Sequence, residues 1–543
     1  MTKNRTTQNI RAASKAIVAS ITTFGKQSVR KLGEMINRSK SSAHRHLQGK
    51  ERRNQHPESW LWETDAGSAW LRLQMIATLY QFGLKSGVGA GTLSQYFKMI
   101  RIDTHVGVSE SAVRTQLGKM EVLLPQFQDD CEKSVKKQTR KIVAGLDETF
   151  FGEFIVLVLI DLRSGYLLVE DITEDRCFDT WYAKTAPRLE SLGIEVNHVI
   201  SDRAKALIKM AVTGFECESG ADVFHAQQDA SRWLGARIGK RVSTAEKNLE
   251  AAKKAEGKVS KKVIGFKFFS LKVNKLKAEK TLEQAKQAQS EYHDNLQGVG
   301  DEVHPFSLTD NSINDAEKVV QGLEIRVQAF EKIAKYQGIA ENTKVTKKLR
   351  NQFQPLAVSV SFWWFLVCET LQDLVIDDVK LEQWLTTTLL PVVYWHHKMQ
   401  QTKSHKVKEK YRQAWILASD KFKAHPLTAT LPESEIQRWL MWADNMVRQF
   451  QRSSSPVEGR NGCLSQMYHN GRGLTEKRLR ALTVIHNYGI KREDGTTAAM
   501  RLFDTEFPDL FSWLLGSMGE LPLPRKDRVR VISNPLKLLS VPS

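Results

Sequence analysis

The 543-residue chain is poor in cysteine, and its five (Cys131, Cys177, Cys217, Cys368, Cys463) are scattered with no CxxC pair. That spacing excludes a zinc cluster and a disulfide framework, and fits a reducing cytoplasm. Long apolar runs are missing: the longest, such as residues 154–160 and 362–368, are far too short to span a bilayer. The N-terminus is basic and polar with no apolar stretch, so neither a secretory signal nor a membrane partner is expected. Negative charge is also short. The 61 Asp+Glu face 80 Lys+Arg, for a net charge of +19, and such an excess predicts a polyanionic partner.

What is present is ordinary in bulk and uneven in detail. The hydrophobic fraction is 41%, and the length predicts several domains rather than one core. The charge sits in two places. Residues 1–60 hold 13 basic and 3 acidic residues, and residues 240–297 hold 14 and 7, which leaves the rest of the chain nearly neutral.

Residues 25–50 read as a helix-turn-helix within a DNA-binding region, 1–60. Leu32-Gly-Glu-Met-Ile36 has helical apolar spacing, Asn37 tolerates a left-handed turn, and Ser39 is placed to cap a second helix with Ala43 and Leu47 inward. Arg38, Lys40, Ser42, His44, Arg45 and His46 are then left outward, where a recognition helix meets the major groove. A plain two-helix hairpin is the alternative. A second copy of the pattern lies in the helical region 61–135. Gly107-Val-Ser-Glu-Ser-Ala-Val113 with Leu117 repeats it, preceded by a helix over 90–100, with Glu110, Arg114 and Gln116 outward. Trp60, Trp62 and Trp70 between the two read as a packing cluster.

Residues 136–239 change character. Strands are predicted at 141–149, 154–161, 166–170, 196–201 and ending at 222–225, with helices at 178–192 and 204–212. This β-β-β-α-β-α-β order predicts a mixed sheet covered by helices, an α/β fold. Residues 240–350 read as a basic helical hairpin with its turn at 298–310. That hairpin either lies along DNA or acts only as a solvated spacer. Residues 351–450 are helical and rich in tryptophan, which is more often core than a base-stacking platform. Residues 451–520 hold a further helix, and 521–543 form a loose tail.

Two aspartates end apolar strands: Asp147 in Leu-Asp-Glu-Thr149 and Asp202 in Val199-Ile-Ser-Asp-Arg203. Carboxylates at neighbouring strand ends repel unless a divalent cation relieves them, and oxygen ligands suit Mg²⁺ or Mn²⁺. Taken singly, Asp147 is a strand-terminal turn residue and Asp202 a helix cap. Glu458 in Ser455-Pro-Val-Glu458 has its own local explanation, a capping box with proline at the first helical position. Its neighbours favour phosphate: Gly459, Arg460 and Asn461, with Arg472, Lys477, Arg478 and Arg480 beyond. Arg203 and Lys205 are placed to contact a scissile strand. Asp222 and His225 form a DxxH element, weak alone, and Glu148, Glu170 and Asp171 are rival third carboxylates.

Leu-Asp147-Glu-Thr, Ile-Ser-Asp202-Arg, Asp222-Val-Phe-His225, a long insertion and Val-Glu458-Gly-Arg-Asn together resemble bacterial insertion-sequence transposases of the DDE type. The resemblance covers residues 25–490 in organisation, although its motifs are short. It implies a ribonuclease-H-like catalytic core with a helical insertion before the glutamate-bearing helix, preceded by end-reading helix-turn-helix elements. It also implies a catalytic and metal-binding trio of Asp147, Asp202 and Glu458 holding two ions, with Asp222 and His225 as a recurrent accessory pair. DNA as element ends and target, a dimer or larger assembly, and a cytoplasmic, nucleoid-associated location follow. A ribonuclease-H-like nuclease or resolvase that cuts without joining, and a non-catalytic regulator derived from a transposase, are the alternatives.

Overall fold

Serine caps and one left-handed turn organise the first bundle. In the computed structural model, which describes residues 2–136, 138–258, 266–374, 378–469 and 473–524, α1 (Thr2–Phe24), α2 (Val29–Met35) and α3 (Lys40–Arg53) pack around Ile17, Leu32 and Ala43. Ser28 accepts from the Lys31 amide and Ser39 from the Ser42 amide, each cap contributing about 1 kcal/mol. Asn37 takes φ 52°. The turn closes so tightly that a Cβ on Gly33 would lie 2.8 Å from the Arg38 carbonyl, so glycine is required there. The two expected helices joined by a left-handed turn at Asn37 are present.

The second motif differs. α4 (Asp65–Thr78) precedes α5 (Ala90–Met99) and α6 (Glu110–Ser134). Ser109 caps α6 by accepting from the Ala112 amide, but ten residues separate the two helices and Gly107 is not the turn. The Gly107 amide donates to the Pro522 carbonyl instead. Gln116, expected outward, is buried. Trp62 and Trp70 stack at 5.7 Å, yet Trp60 and Trp70 remain more than half exposed, so this is not a buried cluster.

β1 (Arg140–Phe151), β2 (Phe154–Asp161), β3 (Leu167–Thr173), β4 (Ile194–Ser201) and β5 (Glu218–Ala221) form one mixed sheet in the order β3-β2-β1-β4-β5. The first three strands are an antiparallel meander, and β4 and β5 add in parallel beyond β1. β2 is buried continuously from Val156 to Asp161, which is why it reads as an unbroken apolar run. The crossovers are α7 (Phe178–Leu192) and α8 (Lys205–Lys209). The fifth strand ends before the DxxH element, not on it. Asp222 accepts from the Phe224 amide and so caps the next helix.

That helix, α9 (Val223–Gly257), pairs with α10 (Phe266–Glu302) as an antiparallel hairpin, with Glu256 against Lys275 and Glu246 against Lys286. α9 ends at Gly257 and α10 starts at Phe266, with residues 259–265 outside the described residues, and the 298–310 stretch, where the sequence placed the turn, begins inside α10. The 298–310 stretch leads instead into α11 (Ala316–Tyr336), α12 (Thr343–Arg350), α13 (Phe353–Asp373), α14 (Val379–Trp384), α15 (Leu390–Gln401), α16 (His405–Ala424), α17 (Pro426–Thr430) and α18 (Glu433–Gln449). One core joins the base of the hairpin to these helices. Trp233, Phe306, Trp363, Trp384, Trp395 and Trp439 are all buried in it, so the tryptophans are packing residues.

α19 (Ser455–Met467) carries Glu458, and α20 (Glu476–Val484), α21 (Ala498–Phe503) and α22 (Leu510–Ser517) follow. The chain divides into two compact units, Met1–Val135 with Leu464–Ser543, and Lys136–Cys463. Of the expected loose tail, Leu521 is buried, and residues 525–543 lie outside the described residues. The architecture is helix-rich with a small mixed sheet. Among the described residues no helix is long and apolar enough to cross a membrane.

Candidate active site

Strand register brings the two aspartates together. β1 and β4 run parallel with Gly145 opposite Ile200, so Asp147 and Asp202 each lie two residues further along, on adjacent chains. Asp147 and Glu148 point to opposite faces, as strand alternation requires. Glu148 is held on its own face by Arg176 (2.9 Å) and the Trp181 indole (3.3 Å). Asp147 faces α19, whose Asn461 amide donates to its Oδ2 at 2.8 Å. The close approach of α19 to β1 depends on Gly145, where a Cβ would meet Leu162 at 2.7 Å and Val457 at 3.0 Å.

Glu458 reaches the same place. Its Oε1 lies 3.5 Å from His225 Nε2. The Ser455 amide donates to Ser453 Oγ at 3.2 Å, so the capping box read from the sequence does not explain this glutamate. Asp202 sits exposed in an Asx turn, its Oδ1 accepting from the Ala204 amide at 2.9 Å while Arg203 adopts φ 64°. It does not cap a helix at Arg203, because α8 starts only at Lys205.

The electrostatics join these groups. Burial pushes the Asp147 carboxyl up to about 7, the charges of Glu458 and Asp202 add to the rise, and the Glu148 amide and His225 oppose it. His225 is raised, first by its hydrogen bond to Asp222 and also by the charges of Asp147 and Glu458. Burial alone would raise Asp222, but hydrogen bonds from His225, Ser454 and the Phe224 amide hold it below the usual range. Asp222 thus takes His225 Nδ1–H (3.1 Å) and the Ser454 hydroxyl on Oδ2. This fixes which imidazole nitrogen faces Glu458. As the side chains stand, no three His, Cys, Asp or Glu among the described residues are grouped tightly enough to hold a metal ion.

Several expected phosphate contacts have other partners. Arg460 is buried and makes a bidentate pair with Glu170, both bonds 2.6 Å. This removes Glu170 as a rival ligand and Arg460 as a phosphate grip. Asn461 orients Asp147 rather than DNA. The Arg203 guanidinium donates to the Ser219 carbonyl, whereas Lys205 is exposed. Asp171 lies 3.4 Å from Lys184. Arg478 donates to the Gly83 carbonyl and Arg480 pairs with Glu476, while Arg472 lies outside the described residues. In the first bundle Arg38, Lys40, His44 and Arg45 are exposed and Ser42 half-buried. Nearby His46 is held below its usual range by partial burial and by Arg53, Arg38 and Arg45. The residue missed from sequence was Ser454, fully buried on Asp222. Its only signal was a run of three serines before Pro456.

Residues 385–530 match the model of DUF6399, a family of unknown function. The match includes Glu458 and its helix but neither aspartate strand. No curated protein matches the chain.

Proposed function

We propose that the protein is a DNA transposase of the DDE type built on a ribonuclease-H-like core. The observation that carries this reading is the shared field at Asp147. Carboxylates from the end of β4 and from α19, distant in sequence, add their charge to burial in raising the proton affinity of Asp147 on β1. The strand-helix order and the two basic segments support the same reading. Water attacks the phosphodiester at an element end and releases a 3′-hydroxyl, which then attacks target DNA in line. Strand transfer from two ends calls for a dimer or larger assembly.

The donor set fits a hard divalent cation. All three candidates are carboxylates, and the burial and neighbouring negative charge that drive Asp147 up are what such a cation offsets. Asp147, Asp202 and Glu458 would hold two Mg²⁺ or Mn²⁺, which activate the attacking oxygen and stabilise the leaving one when bound. The remaining work belongs to positioning. Asn461 occupies one Asp147 oxygen and fixes the carboxylate plane. Asp222 and Ser454 hold the His225 ring, and His225 steadies Glu458. Exposed Lys205 is placed beside Asp202 to meet the scissile strand.

Strand cleavage on duplexes drawn from the DNA flanking the coding region, with Mg²⁺ or Mn²⁺, tests the proposal. Asp147→Asn and Asp202→Asn are expected to abolish cutting while the fold persists. Wild-type rates in both would overturn the mechanism. Cleavage without joined product would leave a nuclease or resolvase, and salt-sensitive DNA binding without cutting would leave a regulator.

A further inference from the structure

The hairpin has two distinct halves. Near its base, Ala226, Ala230, Trp233, Leu234 and Ile238 of α9 are buried in the large helical core. Further out, among the described residues, a thin apolar seam of Val242, Ala245, Leu282 and Ala285 joins the two helices. This distal half supports no core of its own beyond that seam. Its composition is therefore free to serve something else.

The ion pairs sort its charge. Glu246, Glu250 and Glu256 are neutralised by Lys286, Lys254 and Lys275. Among the described residues, Lys240, Lys247, Lys253, Lys258, Lys272, Lys277 and Lys280 have no such ion pair, and all seven are exposed. Only Glu279 and Glu283 offset them over the same stretch. On α9 the cations are also ordered. Lys240, Lys247 and Lys258 share the side opposite Val242 and Ala245, the first two a seven-residue step apart, with the Glu250-paired Lys254 between Lys247 and Lys258. A seven-residue step keeps one helix face at intervals of ~10.5 Å.

We propose that this outer face of α9 is a sequence-independent contact for the phosphate backbone of duplex DNA. The proposal rests on the DNA reading above and adds a second binding surface to it, separate from the helix-turn-helix. Duplex DNA is the occupant that the charge selects. A second copy of the hairpin would present the same uncompensated sign and be repelled, whereas a polyanion releases its counterions on binding.

The test is the salt dependence of binding to a mixed-sequence duplex, for the full-length protein and a Lys240→Gln/Lys247→Gln/Lys258→Gln variant. If each lysine meets a phosphate, the slope of log affinity against log salt shrinks by ~2 to 3. The corresponding triple arginine variant keeps the wild-type slope, and thermal melting shows both variants folded. An unchanged slope in the glutamine variant, with wild type still binding, overturns this inference alone. So does a change in oligomeric state at an unchanged slope, which would make the face a self-association surface. Absence of binding by wild type overturns the DNA reading and this inference with it.

Discussion

α19 carries two charge sites to the sheet, one buried and one half-buried, and they are opposites. At Arg460 a guanidinium meets Glu170 with two short hydrogen bonds, and the charges balance. At Glu458 and Asn461, on its adjoining side, the same helix meets Asp147 where negative charge is in excess. A balanced buried pair locks a helix to a sheet. An unbalanced one is a standing cost that a purely structural site would have shed, and carboxylates left under such strain mark places built for a ligand.

The contrast breaks first at the balanced site. Arg460→Met strands a buried carboxylate and is expected to destabilise the protein by about 3–5 kcal/mol. Adding Glu170→Leu should restore most of the loss, measured by urea unfolding. If the single variant unfolds like wild type, the pair is not the lock described here.

The unbalanced site should respond with the opposite sign. Asp147 titrates near 7 in the fold and near 3.9 when unfolded. The unfolded chain therefore releases its proton first, and stability falls as pH rises from about 4 to about 7. In EDTA at pH 8, Asp147→Asn is expected to stabilise the protein by roughly 2–3 kcal/mol and to flatten this part of the pH profile. A destabilised variant with an unchanged profile would show that the carboxylate is already compensated.

The smallest effect belongs to the support of the unbalanced site. Ser454→Ala removes one hydrogen bond to the Asp222 carboxylate and is expected to cost about 1–2 kcal/mol. It should also raise the pH at which His225 titrates, because Asp222 Oδ2 is left with the imidazole as its side-chain donor, followed by NMR of the imidazole. A shift in stability without a shift in His225 would make Ser454 a packing residue only.

The strands, the caps and the pairing of Asp147 with Asp202 were legible because each is written locally. Apolar runs, Ser39 and Ser109 all act within a few residues, although Asp147 lies inside β1 and not at its end, because the strand continues to Phe151. The failures came where a distant partner decides. Nothing near Arg460 announces Glu170, 290 residues away. Gln116 follows an exposed pattern yet is buried by tertiary packing. Ser455-Pro-Val-Glu458 satisfies the capping-box pattern, but Ser453 takes the amide that the box requires. The hairpin turn was misplaced because α10 continues through Gly298 and Gly300 to Glu302, where packing of Val299 into the helical core overrides the local glycines.

α9 begins at Asp222, places His225 in its first turn, and continues unbroken to Gly257. Thirty-five residues at helical rise make a rod ~52 Å long. Its near end is clamped by a buried cap and its far half is held by a narrow seam, so it is a cantilever. A tilt of about 5° at the root sweeps the tip through ~5 Å. A load applied at Lys258 is therefore met first by Trp233, Leu234 and Ile238 in the helical core, before it can reach Asp222.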